Sequence, residues 1–249
     1  MVYQGSKNRL AKFLVPIIQK YIDDNNIKTY IEPMCGGANL IDKIKCDKRI
    51  GADINEELIT LLKYAQTDNS LSIAPEVCTF EHYAEVREDR KLGTHKYSPE
   101  YIALIGYMAS YGGRYFDGGF ARNSRGDDRN SSTIKYKNNL NNLRTQAPNL
   151  NNIEFMCCDY QNFSDYKNCV FYFDPPYKDT KQYSKQSIDY DSFYDFLRKL
   201  SENNIVLVSE YNMPDDFKCI WQKERKVLQK SDRVTGEKAV EKLFVVDKI

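Results

Sequence analysis

Two short apolar segments, each ended by a polar loop, constrain the fold of this chain more than any other feature. Thr29-Tyr30-Ile31 is predicted to form a strand, and the loop after it, Glu32 to Ala38, contains two adjacent glycines. A second predicted strand, Arg49 to Ala52, ends at Asp53, and apolar residues at helical spacing follow over residues 56–67. Units of strand, loop and helix pair their strands in parallel, so the pattern indicates an α/β sheet with these loops at one edge.

The glycine pair and the acid indicate what this edge of the sheet binds. Gly36 and Gly37 let a ligand approach the backbone closely, because glycine has no Cβ atom. Asp53 follows at close to the ~20 residues that separate the glycine loop from the ribose-binding acid in Rossmann-like folds. A glycine pair alone is more often a plain turn. The acid at the end of the next strand favours the nucleotide-binding half of a Rossmann-like sheet.

The alternation of helices and strands extends to both ends of the chain. An amphipathic helix is predicted over Asn8–Tyr21, before the first strand. The later predicted elements are three buried strands at Ile153–Cys157, Val170–Phe173 and Ile205–Ser209, a helix at Ser192–Leu200, and two terminal antiparallel strands around Ile220-Trp221 and Leu243–Val246. These elements extend the sheet that begins at Thr29.

Residues 68–150 interrupt this pattern. They contain three helical segments and a polar, glycine-rich stretch, but no convincing buried strand; the helical segments are Thr79–Arg90, Glu100–Ser110 and Lys137–Arg144. We therefore predict an α/β fold in which a Rossmann-like sheet with helices on both faces is formed by residues 1–67 and 151–249. The mainly helical residues 68–150 are predicted to be an inserted domain.

The segment Asp174-Pro175-Pro176-Tyr177, directly after the strand that ends at Phe173, carries the most functional information. The two prolines fix φ and remove two backbone donors, so their carbonyls are available to a ligand. Asp174 accepts hydrogen bonds and Tyr177 offers an aromatic face. An isolated Pro-Pro pair is usually an ordinary turn, but this pair lies where open α/β sheets bind their ligands. The segment predicts a pocket for a flat, polar ring.

This segment resembles the Asp-Pro-Pro-Tyr signature of Dam-type DNA adenine methyltransferases, which use S-adenosylmethionine. The resemblance implies a catalytic motif formed by Asp174, Pro175, Pro176 and Tyr177. Asp174 and the Pro175 carbonyl would accept the two protons of the adenine amine, and Tyr177 would stack on a base that has left the duplex. Extruding a base costs a few kcal/mol, and one aromatic stack returns about 1 to 3 kcal/mol.

Other segments resemble the cofactor-binding elements of the same family, in the same order. They are Tyr3-Gln4-Gly5-Ser6-Lys7, Glu32 to Ala38, Asp53-Ile54-Asn55 and Asp159. The cofactor-binding residues that the resemblance implies are Tyr3, Lys7, Glu32, Pro33, Gly36, Gly37, Asp53, Asp159 and Asp174. Lys7 would bind the methionine carboxylate or a phosphate, and Tyr3 would cover the adenine of the cofactor. The chain departs from the family pattern at Tyr3, Ser6, Met34 and Ala38.

The only concentrated basic stretch that also carries aromatic residues runs from Arg114 to Arg144. It contains seven basic residues and three acidic ones. Composition alone favours a flexible surface loop and a DNA contact about equally. The family resemblance places the target-recognition segment here, and the DNA-binding residues that it implies are Arg114, Tyr115, Phe116, Arg122, Asn123 and Arg125. Tyr115 or Phe116 would wedge into the space that the extruded base leaves.

Composition limits the other possibilities. The 36 basic and 35 acidic residues nearly cancel, so any nucleic-acid surface must be a local patch. Seven cysteines without a Cys-x-x-Cys pair, and only two histidines, argue for reduced thiols and against a metal site. No apolar run approaches the ~18 residues of a membrane span. We therefore expect a cytoplasmic protein. The family resemblance implies a bacterial or phage-infected cell as its host, and a monomer and a weak dimer both remain open.

The resulting prediction is a site-specific DNA adenine methyltransferase that acts on a flipped-out base in duplex DNA. It would be a stand-alone bacterial or phage enzyme or a partner in restriction and modification. Methylation of cytosine, RNA or a protein amide remains open, since each target presents a planar amine. Asp174 resembles the residue of the adenine enzymes. A catalytically inactive DNA-binding relative is the remaining alternative.

Overall fold

A computed structural model of the chain describes residues 1–121, 129–176, 188–226 and 238–246. In these ranges the strands are β1 (Thr29–Glu32), β2 (Lys48–Asp53), β3 (Ile153–Cys157), β4 (Cys169–Phe173), β5 (Ile205–Glu210), β6 (Phe217–Lys226) and β7 (Lys238–Val246). The α-helices are α1 (Ala11–Asp24), α2 (Glu56–Thr67), α3 (Phe80–Leu92), α4 (Pro99–Met108), α5 (Arg129–Gln146) and α6 (Tyr190–Ser201). The predicted α/β fold class is confirmed.

Over the described residues the strands form one sheet in the order β3-β2-β1-β4-β5-β7-β6. The first five strands in this order are parallel, and β7 pairs antiparallel with both β5 and β6, as predicted for the tail. The order of strands reverses between β1 and β4. In an open α/β sheet the ligand binds outside the carboxyl ends of the strands at such a point. Glu32 ends β1 there, and Asp174 directly follows β4.

The central strands are buried because helices cover both faces of the sheet. Successive side chains of a strand point to opposite faces. Accordingly, Tyr30 and Val170 belong to one hydrophobic cluster with α1, α2 and the inserted helices, whereas Ile31 and Phe171 belong to a second cluster with α6. Every residue of β4 is buried, which makes this strand the centre of the core.

Four of the helices, α2, α3, α4 and α6, begin at capping residues of the sequence. The side chain of Asn55 accepts a hydrogen bond from the Leu58 amide at 3.0 Å, and α2 has the predicted bounds. Thr79, Ser98 and Asp189 cap α3, α4 and α6 in the same way, because a side-chain oxygen satisfies an amide that the first helical turn leaves unpaired.

The insertion contains the three predicted helices, as α3, α4 and α5. Buried residues on all three, such as Tyr83, Leu104 and Leu143, belong to the same hydrophobic cluster as Leu14 of α1 and Leu58 of α2. The inserted helices therefore pack together with the helices on one face of the sheet. The division into a catalytic domain and an inserted recognition domain stays a prediction. Among the residues described, no helix has the length and apolar character to cross a membrane.

Candidate active site

The carboxylate at the end of β4 is paired with a lysine from the start of the chain. Nζ of Lys7 lies 2.7 Å from Oδ1 of Asp174, and the two side chains are only 10% and 20% exposed. Lys7 begins a 3-10 turn, Lys7–Arg9, which the Ser6 side chain caps by accepting the Asn8 amide at 3.2 Å. In the structure the ammonium of Lys7 contacts Asp174. Binding of the methionine carboxylate or a phosphate by Lys7 stays a prediction.

Three effects set the charge of Asp174. Burial raises the pKa of its carboxyl above the ordinary range, the ammonium of Lys7 opposes that rise, and the nearby carboxylate of Glu241 adds to it. Oδ1, the atom facing Lys7, is fully buried. The exposed 20% of the side chain therefore belongs to its other atoms.

Glu241, on β7, is a site residue that the sequence analysis missed. Its Oε2 lies 4.0 Å from Nζ of Lys7, and its side chain is 5% exposed. The local pattern of Leu243–Val246 predicted only a strand. Glu241 lies near Asp174 because β7 pairs antiparallel with β5. No local signal in the sequence specifies this pairing.

Glu32 ends β1 beside this group but points into the core. Its Oε1 accepts a hydrogen bond from the Tyr30 hydroxyl at 2.6 Å, and the residue is 3% exposed. Burial raises the pKa of Glu32 to about 8, and the Tyr30 hydrogen bond opposes this rise. The carboxyl is therefore mostly protonated at neutral pH. Pro33, the next residue, is also buried. Cofactor contact by Glu32 and Pro33 stays a prediction.

Asp53 ties the loop after β1 to the end of β2. Its Oδ2 accepts the Gly36 amide at 3.1 Å, and its Oδ1 accepts the Asn55 amide at 3.0 Å. Burial raises the pKa of Asp53 while these amides lower it. Each carboxylate oxygen keeps a further lone pair, so the residue can still accept hydrogen bonds from a ligand.

The glycine pair accommodates Tyr3. A Cβ on Gly36, whose φ is +48°, would lie 2.7 Å from the Tyr3 ring, and a Cβ on Gly37 would lie 2.9 Å from the Tyr3 Cβ. The sequence analysis gave both glycines the role of admitting a ligand. In the structure they admit the predicted cofactor-covering residue, so Tyr3, Gly36 and Gly37 are brought together at the edge of the sheet with Asp53.

Tyr107, on α4, is a second residue that the sequence analysis missed. Its ring lies 6.2 Å from that of Tyr3 and 4.7 Å from that of Tyr115, measured between centroids. Its hydroxyl is buried and has no hydrogen-bond partner among the described residues. A buried hydroxyl without a partner costs about 1 to 3 kcal/mol, and a polar ligand group would satisfy it.

Asp159 follows β3 at the same edge of the sheet and is exposed. Its side chain caps the short 3-10 helix Tyr160–Phe163 by accepting the Gln161 amide at 2.9 Å. This contact uses one carboxylate oxygen. The predicted contact between Asp159 and the cofactor adenine stays a prediction.

The described part of the predicted recognition segment packs its aromatic rings inward. Phe116 is 7% exposed and lies 5.2 Å from the Tyr83 ring, and the hydroxyl of Tyr115 accepts a hydrogen bond from Nε of Arg90 at 3.1 Å. Both rings pack against side chains of α3 and α4, and their contact with DNA stays a prediction. Arg114, which directly precedes Tyr115 in sequence, is partly exposed.

Gly113, directly before the recognition segment, contacts the start of the chain. A Cβ on Gly113 would lie 2.8 Å from the Val2 carbonyl oxygen, so the backbones of the two segments touch. Four predicted site residues lie outside the described residues: Tyr177 of the catalytic motif, and Arg122, Asn123 and Arg125 of the DNA-binding set.

Comparison with known proteins identifies the family. The model of the D12 class N6 adenine-specific DNA methyltransferases matches residues 3–225. The chain belongs to this family. The methyltransferase is therefore an enzyme whose substrate is DNA and which needs a methyl donor.

Three relatives carry names of the same kind. The type II methyltransferase M.MjaIII of Methanocaldococcus jannaschii is 25% identical over 85% of this chain and 83% of its own length. The modification methylase StsI of Streptococcus sanguinis and the type II methyltransferase M.FokI of Planomicrobium okeanokoites are each 25% identical over 70% of this chain. The methyltransferase spans only 28% of the length of each of these two.

A solved structure of a proposed methylase from Haemophilus influenzae aligns with 96% of this chain and 88% of that one. The identity is 12% and the TM-score 0.38, so the structural similarity is distant.

Proposed function

We propose that the methyltransferase transfers a methyl group from S-adenosylmethionine to the exocyclic amine of an adenine extruded from duplex DNA. The observation that carries this proposal is the carboxylate of Asp174. It lies at the point where the strand order reverses, with Oδ1 buried against Lys7 and the rest of the side chain partly exposed.

The chemistry requires an acceptor of this kind. The lone pair of the adenine amine is delocalised into the ring, so the amine is a poor nucleophile. An ionised Asp174 accepts a hydrogen bond from the amine, together with the adjacent Pro175 carbonyl, and stabilises the positive charge that develops on the nitrogen. Lys7 favours this reaction because its ammonium opposes the rise that burial causes in the pKa of Asp174, and so favours the ionised carboxylate.

The cofactor would supply an electrophilic methyl group on a sulfonium. The residues that would hold it are Asp53, whose carboxylate oxygens keep free lone pairs, together with Gly36, Gly37 and Tyr3. The unpaired hydroxyl of Tyr107 supports a polar ligand here, since among the described residues nothing satisfies it. Asp159, exposed at the end of β3, would contact the adenine of the cofactor.

Duplex DNA would approach the side formed by the recognition segment. Arg114 would contact phosphates, with Arg122, Asn123 and Arg125 reaching the DNA beside it. Tyr177 would stack on the extruded base. The packed rings of Tyr115 and Phe116 would support this segment rather than enter the DNA, unless the segment rearranges on binding. The relatives named type II methyltransferases favour a role in modification beside a restriction nuclease.

Replacement of Asp174 tests the proposal. We expect Asp174→Ala to lower kcat for methyl transfer to adenine by at least about 100-fold, the usual cost of removing an electrostatic group of this kind. Affinity for S-adenosylmethionine, measured by calorimetry, should change little. The matched control is Asp165→Ala, at an exposed position before β4. An Asp174→Ala variant that methylates adenine at the wild-type rate would refute the proposal.

A further inference from the structure

Three ionisable side chains from distant parts of the chain, one of them the proposed catalytic carboxylate, lie close together. Nζ of Lys7 lies 2.7 Å from Oδ1 of Asp174 and 4.0 Å from Oε2 of Glu241. Their exposed fractions are 10%, 20% and 5%. One ammonium is therefore within 4.0 Å of two carboxylates that little water reaches.

The sheet holds Glu241 in this place. β7 pairs antiparallel with β5, and Glu210, the last residue of β5, lies opposite Lys242. Glu241 is thus held in a strand next to the carboxyl end of β5, and its side chain is buried. Burying a carboxylate costs free energy unless the carboxylate is paired. The contact of the buried Glu241 with Lys7 therefore indicates a role in the site.

We propose that Glu241 is a positioning residue for the methyl transfer proposed above. Glu241 anchors Lys7, so that Lys7 fixes the buried Oδ1 of Asp174 and the other carboxylate oxygen remains available to the target amine. The inference rests on the proposed function, because it assigns Asp174 the role of acceptor.

A second carboxylate adds a restraint on the direction of the Lys7 side chain. The lysine ammonium is a point charge with three donors on a flexible four-carbon stem, so a single partner leaves its direction loosely defined. Carboxylates on two sides restrict it. With all three groups ionised, the group also carries a net negative charge, which favours the positive charge that develops on the amine nitrogen.

Glu241 also affects the ionisation of Asp174. The described charged or titratable groups that interact with Asp174 are Lys7 from the N-terminal turn, Glu241 from β7, Glu32 from β1, Tyr172 from β4 and Tyr3. Glu241 raises the pKa of Asp174, whereas Lys7 lowers it. Removing the charge of Glu241 therefore lowers this pKa, and the acid limb of the kcat profile should move to lower pH.

The test compares Glu241→Gln with Glu202→Gln. Glu202 is exposed at the end of α6, at the opposite edge of the sheet, and its replacement removes the same charge. We expect Glu241→Gln to lower the plateau kcat by about 10- to 100-fold, the effect of a misplaced catalytic group. The KM values for DNA and S-adenosylmethionine should stay within about twofold. The control should match the wild type in kcat and in the pH of the acid limb.

A double variant separates positioning from general structural support. If Glu241 acts through Lys7, the pair Lys7→Met and Glu241→Gln should be no slower than Lys7→Met alone. If Glu241→Gln does not fold, Glu241→Asp takes its place in the test. Because Glu241→Asp keeps the charge, the acid limb of its kcat profile should stay at the wild-type pH while kcat falls.

Two results would overturn the inference. One is a Glu241→Gln variant with wild-type kcat. The other is a slower variant whose acid limb does not move and whose effect adds fully to that of Lys7→Met. Failure of the proposed function can be told apart from failure of this inference. If the proposed function is wrong, the wild-type enzyme methylates no DNA, and this is seen before any variant is measured.

Discussion

Removing Lys7 should make both activity and stability depend on pH, in opposite directions. Lys7→Met keeps most of the length of the side chain but removes the cation beside Asp174 and Glu241. At 2.7 Å and an effective dielectric constant of about 20, the lost attraction between Lys7 and Asp174 is ~6 kcal/mol. The ammonium no longer has to be desolvated, so the net loss should be about 3 to 5 kcal/mol when the carboxylate is ionised.

The sign follows from the pKa of Asp174. This pKa is already raised in the folded enzyme, and Lys7 opposes the rise, so Lys7→Met should raise it further. A carboxyl with a raised folded pKa binds its proton more tightly in the folded than in the unfolded state. The variant should therefore be close to the wild type at acidic pH, where Asp174 is protonated, and lose stability as the pH rises through the raised pKa.

Urea denaturation at pH 5 and pH 8 measures this effect. The difference in free energy of unfolding between wild type and Lys7→Met should be larger at pH 8, by about 2 kcal/mol or more. The residual activity should instead increase with pH, because only ionised Asp174 accepts the target amine. The double variant Lys7→Met with Asp174→Asn should remove the pH dependence of the stability difference. An equal stability difference at both pH values would refute this account of the pair.

Three further variants test separate parts of the structure. Tyr107→Phe should weaken S-adenosylmethionine binding by about 2- to 10-fold in calorimetry, the value of one hydrogen bond, and should leave the ligand-free enzyme at least as stable; weaker stability with unchanged affinity would contradict this. Asn55→Ala should lower the free energy of unfolding by about 1 kcal/mol by removing the cap of α2, and Asn55→Ser should restore most of it. Arg114→Ala should weaken DNA binding more than cofactor binding and reduce the salt dependence of binding by about one unit of slope. Equal DNA affinity across a salt series would exclude Arg114 from the interface.

The elements that the sequence predicted best are those whose signals are local. The bounds of α2 were predicted because Asn55 caps it and its apolar residues recur at helical spacing. By contrast, α5 begins at Arg129, well before the predicted start at Lys137. The buried residues Tyr136, Leu140 and Leu143 recur at helical spacing, whereas the segment from Arg129 to Thr133 is polar in sequence and gives no apolar signal.

The site divides in the same way. Topology brings the carboxyl ends of parallel strands together, so the convergence of Glu32, Asp53 and Asp174 was predictable from sequence. The places of Tyr107 and Glu241 were not, because they follow from aromatic packing on α4 and from the pairing of β7 with β5. The same packing changes the interpretation of the glycine pair, which accommodates a side chain of this chain.

Nucleoside analysis of methylated DNA tests the central claim most directly. The purified enzyme would be incubated with unmethylated duplex DNA and isotopically labelled S-adenosylmethionine, and the DNA digested and analysed by mass spectrometry. The account predicts the label in N6-methyladenine, and its absence when Asp174→Ala replaces the wild type. Label in a methylated cytosine, or a label in adenine that persists in the Asp174→Ala variant, would contradict the account.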